Sequence, residues 1–516
     1  MSGKRILWVD DEIELLKSHI IYLGNRGYEV IPVTNGDDAI ELVKRENFDA
    51  VLLDEMMVGR DGLSTLVELK EIRPDLPAVM ITKNEEERLM EMAIGSKIDD
   101  YLTKPVNPSQ ILSALKKIFD SKKLSEAKLT QDYISEFNRI NQLALEADWK
   151  QWIDIHLRLS NWEVELDSHP DMGILQSLEN QRDSCNIEFN KYVEEDYTHW
   201  LSSDDRPALS TDVVNKYVFP HLSAGRNVLF IVIDCLRLDQ WLPIEELLKE
   251  YYLINRNYYY SILPTATPYA RNALFSGLFP SDIQKHFTEI WQRGEDDESS
   301  SNRFERQLMD FQLERYGLKL KPKPKYVKVL DPEEAANVER KVSSYFNLPL
   351  VSMVFNFIDI LAHSRSSSEV LKEMVPNEAA YRSVVKSWFE HSALYSILRT
   401  FAKQDTVIII TSDHGSVRVK RGAKVISDKE ASTNLRYKYG RNLKCDPKQA
   451  VIINDSSLFK LPDRGLNTNY LIAKENYYFV YPTNYHKYLA LFRDSFFHGG
   501  ISMEEMILPI VTMTAK

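Results

Sequence analysis

Short apolar runs in this sequence repeatedly close on a carboxylate or a hydroxyl. Ile6–Val9 is followed by Asp10 and Asp11, Ala50–Leu53 by Asp54, and Ala78–Ile81 by Thr82. Much further along, Val228–Ile233 is followed by Asp234, Leu350–Phe357 by Asp359, and Thr406–Thr411 by Asp413. Runs rich in Val, Ile and Leu without polar alternation predict strands buried on both faces, as in parallel sheets covered by helices. In such a sheet the carboxyl ends of the strands converge on one crevice, so the polar residue closing each run is delivered to a shared site. The expected fold class is therefore multidomain α/β, with two separate sheets.

The runs also set the organisation. Between Arg5 and Phe119 they fall at Ile6–Val9, Glu29–Val33, Ala50–Leu53, Ala78–Ile81 and Asp100–Leu102, with helical patterns such as Glu12–Leu23 and Gly36–Arg45 between them. That is a five-fold βα repeat, placing a doubly wound domain over residues 1–121. From Lys122 to Pro207 the strand pattern vanishes. Ser125–Asp148, Trp149–Leu166 and Met172–Trp200 have amphipathic spacing, with Trp149, Trp152, Trp162 and Tyr192 as core aromatics, so residues 122–207 are expected to form a helical bundle. Strands return at Asn227–Asp234, Leu350–Phe357, Thr406–Thr411, Tyr477–Val480 and Met506–Val511, giving a second α/β domain over 208–516. Within it, Gly294–Ser301 reads as a solvated, mobile loop.

Composition removes several classes. The chain has 516 residues, 44% hydrophobic and 27% charged, which excludes a disordered or low-complexity protein. No stretch is apolar enough to predict a membrane span, and the start lacks a signal-peptide core, so a cytoplasmic location is expected. Three cysteines without a CxxC pair give neither a disulfide framework nor a zinc knuckle. A net charge of −12 argues against a general DNA-coating protein, and no helix-turn-helix is evident.

In the first domain, three carboxylates (Asp10, Asp11, Asp54), a hydroxyl (Thr82) and Lys104 would share one crevice, as a Mg²⁺ site beside an ionisable nucleophile requires. This arrangement resembles the CheY-like receiver domain of response regulators over residues 4–119. The resemblance implies that Asp54 is the phosphoacceptor for a sensor histidine kinase, and that Asp10, Asp11, Asp54 and the carbonyl of Met56 hold magnesium. It further implies that Lys104 pairs with the phosphoryl oxygens, Thr82 hydrogen-bonds them, Tyr101 is a rotameric switch, and Lys104-Pro105 is cis.

In the second domain, Asp359 and His363 stand four residues apart after a strand, Asp413-His414-Gly415 ends the next, and His498 lies in Phe497-His-Gly-Gly. Three carboxylates and three histidines at strand ends suit zinc or manganese, and with a hydroxyl they suffice for two ions about 4 Å apart. The series resembles the alkaline phosphatase superfamily, in particular the PglZ family, and the stretch from Thr267 to Pro280 is similar to its nucleotide phosphodiesterase branch. The resemblance implies that Asp234, Thr267, Asp413 and His414 bind one zinc, and Asp359, His363 and His498 the other. Thr267 would be the nucleophile. Arg271 reads either as a contact to the bound phosphate or as an ordinary helix-surface arginine. The other eight of the eleven histidines have no such context.

A receiver, a helical bundle and a PglZ domain in one chain resemble the PorX-like family of response regulators. The implied partners are a sensor histidine kinase, type IX secretion components and a sigma factor. Two functions follow: a phosphorylation-controlled, zinc-dependent phosphodiesterase or phosphatase acting on a nucleotide-like substrate, or a metal-stabilised scaffold that docks protein partners. Two more expectations concern charge. Gly415–Lys448 holds ten basic and three acidic residues, either a solvated loop or a rim for a polyanionic substrate around Arg418, Lys420 and Arg421. Arg88, Glu91, Asp99, Asp100, Lys116 and Lys117 form a mixed-sign face suited to homodimerisation on phosphorylation of Asp54.

Overall fold

The computed structural model describes residues 3–83, 98–169, 173–288, 304–366, 368–426, 432–483 and 485–516. The expected loop Gly294–Ser301, and Arg88 and Glu91 of the expected dimer face, lie outside these described residues. The chain divides into two compact units, Met1–Tyr133 and Ile134–Lys516.

In the first unit β1 (Lys4–Val9), β2 (Tyr28–Val33), β3 (Ala50–Asp54), β4 (Ala78–Thr82) and β5 (Asp100–Thr103) form a parallel sheet in the order β2-β1-β3-β4-β5. The two-residue period of a strand separates two cores. Leu7 and Val9 pack on one face with Ile40, Leu66 and Leu69, while Ile6 and Trp8 pack on the other with Leu23, Ile111 and Leu115. Helices Gly36–Arg45 and Gly62–Ile72 start on Asn35 and Asp61, whose side chains accept the backbone N–H of Asp38 and Ser64. Pro108–Leu143 is one helix, whereas the sequence reading starts a helix at Ser125. After Pro108 that stretch contains neither proline nor glycine, so nothing stops it.

The second unit is built on a six-stranded sheet in the order β7-β18-β10-β6-β9-β8. Its strands are β6 (Asn227–Ile233), β7 (Tyr252–Tyr260), β8 (Lys325–Val329), β9 (Leu350–Phe355), β10 (Thr406–Thr411) and β18 (Ile507–Ala515). Neighbours are parallel except at β18, which runs antiparallel to both β10 and β7. Leu229, Ile231 and Ile233 face a core with Trp241, Phe389 and Leu398. The segment between β10 and β18 forms small sheets: β11 (Val417–Arg418) with β17 (Phe496–Phe497), β12 (Arg421–Lys424) with β16 (Tyr477–Val480), and β13 (Tyr437–Arg441), β15 (Thr468–Ala473) and β14 (Ala450–Ile453) together. Tyr477–Val480 is therefore a strand, as expected, but of a small sheet.

Helices Trp149–Asp167 and Leu175–Trp200 pack within this same unit. The first opens on a capping box between Asp148 and Gln151. Of the aromatics expected in a helical core, Trp152 is buried while Trp149, Trp162 and Tyr192 are half-buried; the Trp152 ring meets Phe189 edge-on at 5.3 Å, and Phe189 and Trp200 both pack against Tyr260 of β7. Among the described residues, no helix is long and apolar enough to cross a membrane.

Candidate active site

The strand ends of the first unit gather the expected residues. Asp10 and Asp54 are buried, Asp11 is half-buried, and one carboxylate oxygen from each lies within 4.8 Å of the others. Lys104 Nζ is 2.8 Å from Asp54 Oδ2 and 3.0 Å from Asp10 Oδ2, and Lys104-Pro105 is cis. Burial pushes the Asp54 carboxyl above its usual range, and the Lys104 hydrogen bond opposes it. Three clustered acids with one lysine leave negative charge uncompensated, so this donor set fits a hard dication. The Thr82 hydroxyl donates to the Glu55 carboxylate. Met56 lies in the loop after β3 with its side chain exposed, and Tyr101 on β5 keeps its hydroxyl buried with no hydrogen-bond partner among the described residues. On the expected dimer face, Asp99 pairs with Lys70 and Asp100 with Lys117, both at 3.3 Å.

The second unit brings together all seven residues expected to hold metal, in two groups. Asp234 follows β6, and the chain turns sharply after it because Cys235 takes φ +67°, a conformation uncommon outside glycine. Asp413 and His414 follow β10, and Thr267 opens the helix Thr267–Ser276 with Pro268 in its first turn. All four are buried. The Thr267 hydroxyl donates to His414 Nε2 at 2.9 Å, and His414 Nδ1 lies 3.1 Å from the carbonyl of Gly415. A proton on Nδ1 satisfies that carbonyl and leaves Nε2 as an acceptor. Burial pushes the His414 imidazole down to about 4, which keeps it in the unprotonated form a metal ligand needs.

The second group opens toward solvent. His363 is exposed, while Asp359 and His498 are nearly covered. His363 Nε2 and His498 Nε2 are 2.9 Å apart and lie 3.3 and 3.4 Å from Asp359 Oδ1. Burial acts to raise the Asp359 carboxyl, but both histidines outweigh it and hold it well below the usual range. The rings of His414 and His498 stack at 4.1 Å, so the two groups adjoin.

Arg271 is neither on the surface nor pointed at an open site. Its side chain is fully buried: one guanidinium nitrogen pairs with Asp234 Oδ2, Nε with Asp413 Oδ2 at 3.0 Å, and Nη1 with Glu305 Oε1 at 3.3 Å. The helix-surface alternative is therefore wrong, and the guanidinium is engaged by three carboxylates instead of reaching outward for phosphate. Burial and its acidic neighbours push Asp234 up, whereas Arg271 and His414 outweigh burial at Asp413 and hold it down. The remaining oxygens, Asp234 Oδ1 and Asp413 Oδ1, are buried without a hydrogen bond among the described residues. Buried acceptors left open beside a hydroxyl and a neutral imidazole fit a transition-metal ion, and two imidazoles converging on a carboxylate fit a second. Glu305 was not legible as a site residue: it ends no strand, and its partners Tyr326 and Lys328 lie on the edge strand β8.

In the basic stretch Gly415–Lys448, the three residues expected at a substrate rim are each paired with an acid. Arg418 pairs with Asp494 at 3.0 Å, Lys420 with Glu179 and Asp183 at 2.9 Å, Arg421 with Glu475, and buried Arg436 with Glu505. Counting charge inside the window misses acids that arrive from distant sequence. Lys429, Asp428 and Glu430 lie outside the described residues.

Comparison with known proteins agrees with this architecture. The profile of the receiver domain of response regulators matches residues 6–116, that of the PorX response regulator linker domain 123–201, and that of the BREX system PglZ alkaline phosphatase-like domain 213–513. The chain is similar to the transcriptional regulatory protein BaeR of Escherichia coli, 34% identical over 148 residues, which are 28% of this chain and 60% of that protein. It is also similar to the phosphate regulon transcriptional regulatory protein PhoB of Pseudomonas aeruginosa, 34% identical over 122 residues, 23% of this chain and 52% of that protein. It thus spans less than two thirds of either relative. A CheY-like receiver domain from Methanospirillum hungatei is 28% identical and covers 24% of this chain and 99% of its own, with a TM-score of 0.23. Since the PglZ match alone spans more than half of the chain, this protein belongs to the PglZ alkaline phosphatase-like family, and it is a response regulator of PorX-like domain order: receiver, linker, PglZ.

Proposed function

We propose that this response regulator has a zinc-dependent phosphodiesterase or phosphatase as its output, acting on a nucleotide-like ester and controlled by phosphorylation of Asp54. The observation that carries the reading is the Thr267 hydroxyl donating to the unprotonated Nε2 of His414 beside Asp234 and Asp413, with the group of Asp359, His363 and His498 adjoining it. In this reading Asp234, Thr267, Asp413 and His414 hold one ion, and Asp359, His363 and His498 the other. Zinc, when bound, lowers the hydroxyl's pKa and neutralises charge on phosphoryl oxygens. Thr267 Oγ gives up its proton to water and attacks phosphorus, a P–O bond to threonine forms as the ester P–O bond breaks, and the leaving oxygen takes a proton from water. Water then releases the phosphoryl group. Arg271 keeps the Oδ2 atoms of Asp234 and Asp413 turned away from the donors, with Glu305 behind it. Substrate enters from the exposed His363 side.

The domains in this reading are residues 1–121, 122–207 and 208–516, and Asp10, Asp11, Asp54 and Met56 hold magnesium in the receiver. A sensor histidine kinase phosphorylates Asp54, Lys104 and Thr82 engage the phosphoryl oxygens, and Tyr101 relays the change. A cytoplasmic homodimer follows, acting on type IX secretion components and a sigma factor. The test is zinc-loaded full-length protein assayed on a bis-aryl phosphate diester and an aryl monoester. Hydrolysis of the diester, lost in Thr267→Ala, is expected. No hydrolysis of either ester above the Thr267→Ala control would overturn the reading.

A further inference from the structure

Three buried side chains of the helix Leu175–Trp200 (Arg182, Asn186 and Asn190) repeat at every fourth position and so share one face. Helix faces that pack inside a protein are ordinarily apolar, but this stripe is polar, and each member bonds the segment that follows His498 or the turn beside it. Arg182 Nη1 donates to Glu504 Oε1 at 2.9 Å, and Asn186 Nδ2 to Glu504 Oε2 at 3.0 Å. Asn186 Oδ1 accepts the N–H of Met503 at 2.9 Å. Asn190 Nδ2 donates to the carbonyl of Ile501 at 3.0 Å, and its Oδ1 accepts the N–H of Glu475 at 3.3 Å.

That segment is tied in turn to the chain beside Thr267 and His414 of the buried group. Thr265, two residues before the nucleophile, donates to the carbonyl of Gly500 at 2.7 Å and accepts the N–H of Gly499 at 3.2 Å. Gly415, next to His414, donates its N–H to the carbonyl of Glu505 at 3.2 Å. Its Cα lies so close to the carbonyl of Glu504 that a Cβ would collide with it.

We propose that Arg182, Asn186 and Asn190 are positioning residues that hold Ile501–Glu504 and thereby set His498 against Asp359 and His363. Apolar helix faces tolerate sliding, whereas a hydrogen-bonded polar face fits one register. A shift by one turn, about 5.4 Å, breaks every bond in the stripe together. The linker helix is then the element whose position determines whether the solvent-side metal group is assembled. The inference rests on reading Asp359, His363 and His498 as metal ligands.

Hydrogen exchange and zinc competition against a chelating dye, both on the full chain, test it without needing turnover. In Asn190→Ala and Asn186→Ala, amides of Gly499–Glu505 should exchange at least tenfold faster while Val228–Ile233 stays protected. Lys191→Ala, on the exposed side of the same helix, should match wild type. Weaker-bound zinc should lose about tenfold in affinity, and that loss should disappear in a His498→Ala background, where a general structural defect would persist. Should Asn186→Ala not fold, Glu504→Gln attacks the same bonds from the loop side. Exchange at Gly499–Glu505 equal to the Lys191→Ala control, or faster exchange spread evenly over the unit, would overturn the proposal. If wild type hydrolyses no ester, the proposed activity falls while the exchange result stands by itself.

Discussion

Replacing Arg271 with methionine removes the only cation that directly pairs with both Asp234 and Asp413 among the described residues, while keeping most of the side-chain volume. Removing one partner from a buried ion pair costs about 3–5 kcal/mol, because the charge left behind has lost its water without compensation. Here three carboxylates, each no more than 1% exposed, face one guanidinium. The metal-free protein should therefore sit at the upper end of that range, about 4–5 kcal/mol. In a unit of this size that corresponds to a fall of roughly 5–6 °C in melting temperature. Zinc changes the result. A dication on the open Oδ1 atoms screens Asp234 and Asp413, and Glu305 still has Tyr326 and Lys328, so the loaded variant should recover most of the loss. Scanning calorimetry of wild type, Arg271→Lys and Arg271→Met, with chelator and with zinc, reads this directly. A fall under about 2 °C in chelator, or an equal fall with and without zinc, would refute the assignment of Arg271 as the guanidinium that orients metal-holding carboxylates.

Other consequences are separate. Elemental analysis should find about two zinc ions per wild-type chain and about one in His498→Ala; unchanged stoichiometry would refute the ligand set. Burial pushes the imidazole of His156 down to about 3, so on acidification the unfolded chain takes up that proton first. Stability should then fall as pH drops below about 6.5, by about 2 kcal/mol at pH 5, and urea unfolding should show a shallower pH dependence in His156→Leu. Beryllofluoride, an acyl-phosphate mimic, should convert wild type from monomer to dimer by light scattering, and should leave Asp54→Ala monomeric.

The strand ends were legible because a strand buried on both faces is written in consecutive apolar residues, and the residue that closes it cannot hide. Asp54, Asp234, Asp359 and Asp413 were all found this way. The edge strands β7 and β8 were not, since Tyr252–Tyr260 and Lys325–Val329 mix polar and apolar residues as edges exposed to water do. Glu305 and Glu504 belong to no motif, and only the folded chain shows that each faces a buried arginine. The stripe Arg182, Asn186, Asn190 is regular in the sequence, yet a polar stripe ordinarily marks a solvated face. The pairing in the basic stretch after His414 was hidden for a related reason, because the acids that meet Arg418, Lys420, Arg421 and Arg436 come from residues 179, 183, 475, 494 and 505.

The central claim is that Thr267 attacks phosphorus. Acid quenching of zinc-loaded protein during turnover of a bis-aryl phosphate, followed by peptide mass spectrometry, tests it most directly. The account predicts a phosphoryl-ester adduct on the peptide containing Thr267, and neither adduct nor turnover in Thr267→Ala. Full hydrolysis by Thr267→Ala, with no adduct in wild type, would contradict it.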